Sequence, residues 1–193
     1  MEKMLTLPPE QMEKFRKSTS HTLEDHERGQ PEAYHYTKSG SMLMRSQLDC
    51  NDARLPGTGV FDLKTRACIS VRMDVNRAEE GADYEIYHRT GVYNSFEREY
   101  YDMIRSAFLK YSLQVRIGKM DGIMVAYHNT QRIFGFQYIS LDEMDVALHG
   151  ASETDVGRRE FQFSVKLLNE ALDRAVRRFP NQVTSLSEGC ADV

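Results

Sequence analysis

The run Val60-Phe61-Asp62-Leu63-Lys64-Thr65 constrains this chain more than any other stretch, because it sets an acid and a lysine two apart inside an apolar, strand-like segment. Alternate side chains of a strand share a face, so Asp62 and Lys64 project together, ~7 Å apart at about 3.3 Å per residue, while Phe61 and Leu63 turn toward a core. The strand is predicted to continue through Arg66-Ala67-Cys68-Ile69-Ser70-Val71-Arg72, so that neighbouring strands hold the pair. Just upstream, Leu55-Pro56-Gly57-Thr58-Gly59 marks a turn, and Met42 to Asp49 reads as another strand ending in an acid.

Two acids on adjacent strands beside a lysine suit metal-assisted phosphodiester hydrolysis. Hard carboxylate oxygens hold magnesium or manganese while leaving positions for water and a phosphate. The ion lowers the pKa of water and offsets phosphoryl charge, and the lysine positions the nucleophile or the phosphoryl oxygens. The spacing alone carries nothing, since 29 acids and 8 lysines in 193 residues make roughly one acid-x-Lys triplet expected by chance. Its strand context and the acid-bearing strand before it are the evidence. The competing reading is a surface charge pair on a half-exposed strand.

Beyond this stretch, Leu43-Met44-Arg45-Ser46-Gln47-Leu48-Asp49, Arg54-Leu55-Pro56-Gly57-Thr58-Gly59, Phe61 to Ala67, Ser95 to Arg105, and Met120-Asp121-Gly122-Ile123 through Leu141 together resemble the fungal mitochondrial RNA-processing family named for petite complementation. The likeness spans about residues 31 to 150. That family in turn resembles the PD-(D/E)xK nuclease superfamily, which implies a mixed α/β or α+β core with one mixed sheet flanked by helices. It implies mitochondrial location, mitochondrial transcripts as the RNA bound, association with transcription or RNA-degradation machinery, and a 5′-to-3′ exoribonuclease working with Mg2+ or Mn2+. Residue by residue, Asp62 and Lys64 match the (D/E)xK half of the motif, and Asp49 is the best match to its first acid. Leu48 stands where the superfamily has proline, and Asp52 is the alternative first acid. Arg66, on the same strand face, is a candidate substrate contact. A catalytically silent RNA-binding scaffold and a DNA nuclease are the alternative functions.

A chain of 193 residues, 40% hydrophobic and 10% aromatic, suffices for one domain with a real core. Residues 1–193 are read as one nuclease-like unit, with a core over about 31–150, a C-terminal helix over 151–180 and a flexible tail over 181–193. No apolar run reaches the ~20 residues of a transmembrane helix. Met1 to Glu10 carries acids and two prolines where a transit peptide is basic, and the resemblance makes the chain a C-terminal portion of a longer protein. Cys50, Cys68 and Cys190 form an odd set without CxxC spacing, and the six histidines show no HExxH grouping, so neither a disulfide framework nor a zinc site is supported. Net charge is −4, but residues 54–119 sum to +2 between flanks of −2 and −4, a weak bias toward an anionic partner at the middle.

Hydrophobic periodicity supplies the remaining elements. Ala33 to Thr37 is a predicted edge strand, Tyr84 to Tyr87 a short strand and 74–83 an exposed loop. Phe96, Tyr100, Met103, Ala107, Phe108, Tyr111 and Val115 mark one long helix over Ser95 to Arg116. On its other side Lys110 and Gln114 are a turn apart and are candidate contacts to a nucleic-acid backbone; the plain alternative is a solvated face. Gly122 to His128 and Ile133 to Ile139 make a hairpin, Ser140-Leu141-Asp142-Glu143 a capping box opening a helix, and Phe161 to Phe179 an amphipathic helix that stops before Pro180.

Overall fold

The computed structural model describes residues 5–24, 33–73, 84–150 and 155–180. In chain order these form α1 (Pro9–Met12) with two short 3-10 turns after it, β1 (Ala33–Ser39), β2 (Met42–Leu48), β3 (Cys50–Asn51), β4 (Val60–Ala67), α2 (Ile69–Met73), α3 (Phe96–Ser106), α4 (Phe108–Gly118), β5 (Gly122–His128), β6 (Ile133–Ser140), α5 (Leu141–His149) and α6 (Val156–Arg178). Two sheets result: a β1–β2 antiparallel ribbon, and a four-stranded mixed sheet ordered β3-β4-β5-β6 in which β4 and β5 are parallel. Parallel neighbours require a crossover, and α2, α3 and α4 supply it. The class is the expected mixed α/β one, but the strands divide between two sheets where one was expected, because β2 ends at the Asp49 corner and pairs with β1 rather than joining the sheet of β3 to β6. The flexible-tail reading of 181–193 and the loop reading of 74–83 lie outside the described residues.

β4 and β5 are central, and their near-continuous burial follows from cover on both faces. Ile123, Val125, Tyr127 and Ile139 meet Met103, Phe108, Val115 and Met144 from α3, α4 and α5. The Phe96–Tyr127 and Tyr100–Phe108 ring pairs cross edge to face, the arrangement that ring quadrupoles favour. Gly122 admits β6 closely: a Cβ there would stand 2.4 Å from the Ile139 carbonyl oxygen.

Three predicted elements differ. The strand from Val60 ends at Ala67 rather than running to Arg72, because buried Glu99 of α3 accepts the Ile69 N–H at 2.8 Å and pairs with Arg72 at 2.7 Å, pulling this segment into α2. The long helix breaks at Ala107, whose φ of −132° is not helical. Ser106 Oγ donates back to the Asp102 carbonyl at 2.6 Å, and the break seats both Met103 and Phe108 in the core. Tyr84 to Tyr87 form no strand: the Asn94 carbonyl accepts the Tyr87 and His88 N–H groups, and Asn94 itself takes positive φ, closing a compact loop instead. The capping box is half realised. Ser140 Oγ accepts the Glu143 N–H at 3.1 Å, but the Glu143 carboxylate bonds Tyr100 at 2.8 Å rather than returning to the cap.

Candidate functional site

Asp49 is the corner where β2 turns into β3. Because Cys50 pairs with Phe61 and Asn51 with Val60 in antiparallel register, the next position back sets Asp49 against Asp62 of β4. The Asp49 carboxylate accepts the Leu63 N–H at 3.1 Å, which pins it there. Asp62 is 2% exposed. Lys64, two residues on and on the same face, brings Nζ to 2.6 Å from Asp62 Oδ2 and donates to Gln114 Oε1 of α4 at 2.9 Å. The ammonium also lies 5.4 Å from the centre of the Tyr111 ring, an attraction to its π face. The corner, the strand and one helix face therefore converge on a single point.

The electrostatics are unbalanced. Burial pushes the Asp62 carboxyl up to about 6, the neighbouring Asp49 carboxylate adds to the rise, and the Lys64 ammonium opposes it. Asp62 Oδ2, although within ion-pair distance of Lys64, receives no aligned hydrogen bond. A pair of carboxylates with one lysine is short of positive charge, which a proton or a divalent cation would provide. Asp52 is differently engaged. Its carboxylate is held by Arg54 Nε at 2.9 Å and Nη2 at 2.5 Å, and that bonding lowers its pKa, so of the two candidate first acids Asp49 is the one beside Asp62.

Gln114 and Lys110 line a groove of about 660 Å3 between α4 and β2, with Arg45, Gln47, Asp49 and Leu113 on its walls. Lys110 is exposed there, whereas Gln114 is half-buried because it reaches inward to Lys64. Arg66 is brought to the same strand face but not to the groove. It is 8% exposed, donates to Ser106 Oγ at 3.2 Å, and burial with the nearby Arg72 charge lowers its pKa. As placed, it is a packed residue rather than a surface contact. Tyr111, Arg45 and Gln47 are site residues that the sequence reading misses: periodicity assigns Tyr111 to the core stripe of the helix, whereas its ring faces Lys64.

The profile of the family described as "Mitochondrial protein Pet127" matches residues 1–173. The chain belongs to the Pet127 family. "mRNA degradation protein pet127, mitochondrial" of Schizosaccharomyces pombe is 52% identical over 151 residues, covering 78% of this chain and 28% of that protein. "Putative mitochondrial translation system component PET127" of Saccharomyces cerevisiae is 55% identical over 123 residues, 62% of this chain and 15% of that protein. The chain thus spans less than a third of the length of these Pet127 relatives. The family resemblance and the mitochondrial location it implies both stand. The Pet127 match includes Asp49, Asp62, Lys64 and Gln114.

Proposed function

We propose that Asp49, Asp62 and Lys64 form a divalent-metal-dependent phosphodiesterase centre that cuts mitochondrial RNA. The observation that carries this reading is the buried Asp62 carboxylate, short of a full complement of hydrogen bonds and set against Asp49, which lines the open groove. The donors are hard carboxylate oxygens, which suit magnesium or manganese held by one or two carboxylates and water better than zinc. Asp49 and Asp62 would hold the ion, which when bound supplies charge neutralisation at the phosphoryl group and a more acidic water.

The chain's own groups do the rest. Lys64, anchored by Gln114 and by the Tyr111 ring, presents N–H donors to the nucleophile or to the phosphoryl oxygens, where charge develops as hydroxide attacks phosphorus and the P–O bond breaks. Asp62 holds Lys64 in place, with Nζ 2.6 Å from Oδ2. The strand order, with the acid corner and the D-x-K strand side by side and a helical crossover to a parallel neighbour, supports placement in the PD-(D/E)xK superfamily. The name of the fission-yeast relative supports RNA turnover as the setting, and exonucleolytic action from the 5′ end is what the resemblance to the petite-complementing family implies.

The test is single-turnover cleavage of 5′-labelled RNA and DNA, with and without magnesium, alongside equilibrium RNA binding at fixed salt. Lys64→Ala should slow cleavage by about 10²- to 10³-fold with affinity nearly unchanged, since one donor aimed at the transition state is worth about 3 to 4 kcal/mol. Equal rates in variant and parent would eliminate the catalytic reading. Parallel losses in rate and affinity would reduce Lys64 to a phosphate contact, as in a binding scaffold.

A further inference from the structure

The β1–β2 ribbon has one face packed and one open. Its inner face is fixed to α4 by Thr37 Oγ1 donating to the Ile117 carbonyl at 3.2 Å, and its turn is fixed to α6, where Asn169 Oδ1 accepts the Met42 N–H at 3.1 Å. The outer face carries Tyr34, Tyr36 and Lys38 on β1, paired in register with Gln47, Arg45 and Leu43 on β2. Tyr36 is 56% exposed, and the Arg45 guanidinium lies 4.6 Å from the centre of the Tyr34 ring. Arg45 and Gln47 also form a wall of the groove that contains Asp49 and Gln114. The open face of the ribbon is therefore continuous with the candidate catalytic site. Lys38, Arg45 and Lys110 have no ion-pair partner among the described residues.

We infer that this ribbon is a track for single-stranded RNA, leading the strand along the groove to Asp49, Asp62 and Lys64; the inference rests on the function proposed above for that site. Exposed aromatic rings interleaved with unpaired cations are the chemistry that holds a strand without reading its sequence: bases stack on the rings and guanidinium planes, and phosphates meet the ammonium groups. Tyr36 offers a free ring face, and Arg45, spread over Tyr34, offers a second stacking plane. Lys38 on the open face of the ribbon and Lys110 on the groove lining are the ammonium groups that would meet the backbone. A duplex hides its base faces from the Tyr36 ring and the Arg45 plane, so the stacking part of this surface favours one strand over a double helix.

The experiment is fluorescence anisotropy on Asp62→Asn protein, which removes cleavage, with a labelled 12-nucleotide single-stranded RNA and an RNA duplex of the same sequence. Tyr36→Ala should weaken single-strand binding about tenfold while Tyr36→Phe retains it. Arg45→Gln and Lys38→Gln should each lower the slope of log affinity against log salt by about 0.7. Duplex binding should be weaker and indifferent to Tyr36. Circular dichroism melts confirm folding, since all these side chains are on the open face. Unchanged single-strand affinity in Tyr36→Ala and Arg45→Gln, as expected of a ribbon that docks protein instead, would overturn the track, as would a preference for duplex. Hydrolysis of bis(4-nitrophenyl) phosphate by the parent protein with manganese separates the two readings. Hydrolysis with no ribbon effect on RNA refutes the track alone, and a ribbon effect with neither ester nor RNA cleaved refutes the catalytic centre alone.

Discussion

Replacing Asp62 by Asn should stabilise the metal-free protein, and by an amount that depends on pH. The carboxyl titrates from its ordinary 3.8 up to about 6 in the folded state, which at 1.36 kcal/mol per pH unit makes ionisation cost the fold about 3 kcal/mol. That value already includes the attraction of Lys64, so it is a net penalty. Below pH 3.8 the acid is protonated whether folded or not, and the penalty is absent. As pH rises from about 4 through 6 the unfolded chain ionises first, and stability is lost until the folded carboxyl has also ionised. Asn mimics the protonated acid at every pH. Thermal melts in chelator should therefore show parent and Asp62→Asn nearly equal near pH 4, and the variant about 6 to 12 °C higher at pH 7.5, taking 2 to 4 °C per kcal/mol for a chain of this size. Millimolar magnesium should raise the parent and leave the variant unmoved, closing the gap through binding to the folded carboxylates. A difference in melting temperature that is constant from pH 4.5 to 7.5 would refute the buried, charge-poor description of Asp62.

Other outcomes follow from single contacts. Gln114→Leu removes the acceptor that orients Lys64 at 2.9 Å and should slow single-turnover cleavage about 5- to 10-fold, the worth of one hydrogen bond, with RNA affinity little changed. Ser140→Ala removes the cap of α5 and should cost about 1 kcal/mol in urea unfolding with no change in slope. Gly122→Ala would press a methyl group to 2.4 Å from the Ile139 carbonyl oxygen and 2.9 Å from the Ser140 Cα. Both are backbone of the paired strand, so the loss should be about 2 to 3 kcal/mol by the same unfolding assay.

Alternation and 3.6-residue spacing were enough to locate β1, β2, β5, β6 and α6 near their observed ends, because each buries one face or stripe that its own side chains declare. They also place Asp62 and Lys64 on one face, since that is a property of any strand. Local pattern does not decide contacts made across the chain. The Val60 strand ends at Ala67 because Glu99, 30 residues from Ile69, caps the next turn, and apolar Ile69 and Val71 read equally well as strand. The break at Ala107 leaves the apolar stripe intact in sequence and shows only when Met103 and Phe108 must both reach one core. Arg66 shares a face with Lys64, yet only packing decides that one ends beneath α3 at Ser106 and the other at the groove. The choice between Asp49 and Asp52 was likewise open to residue type alone. The antiparallel register sets Asp49, and not Asp52, against Asp62, while an arginine two residues beyond Asp52 holds the other carboxylate.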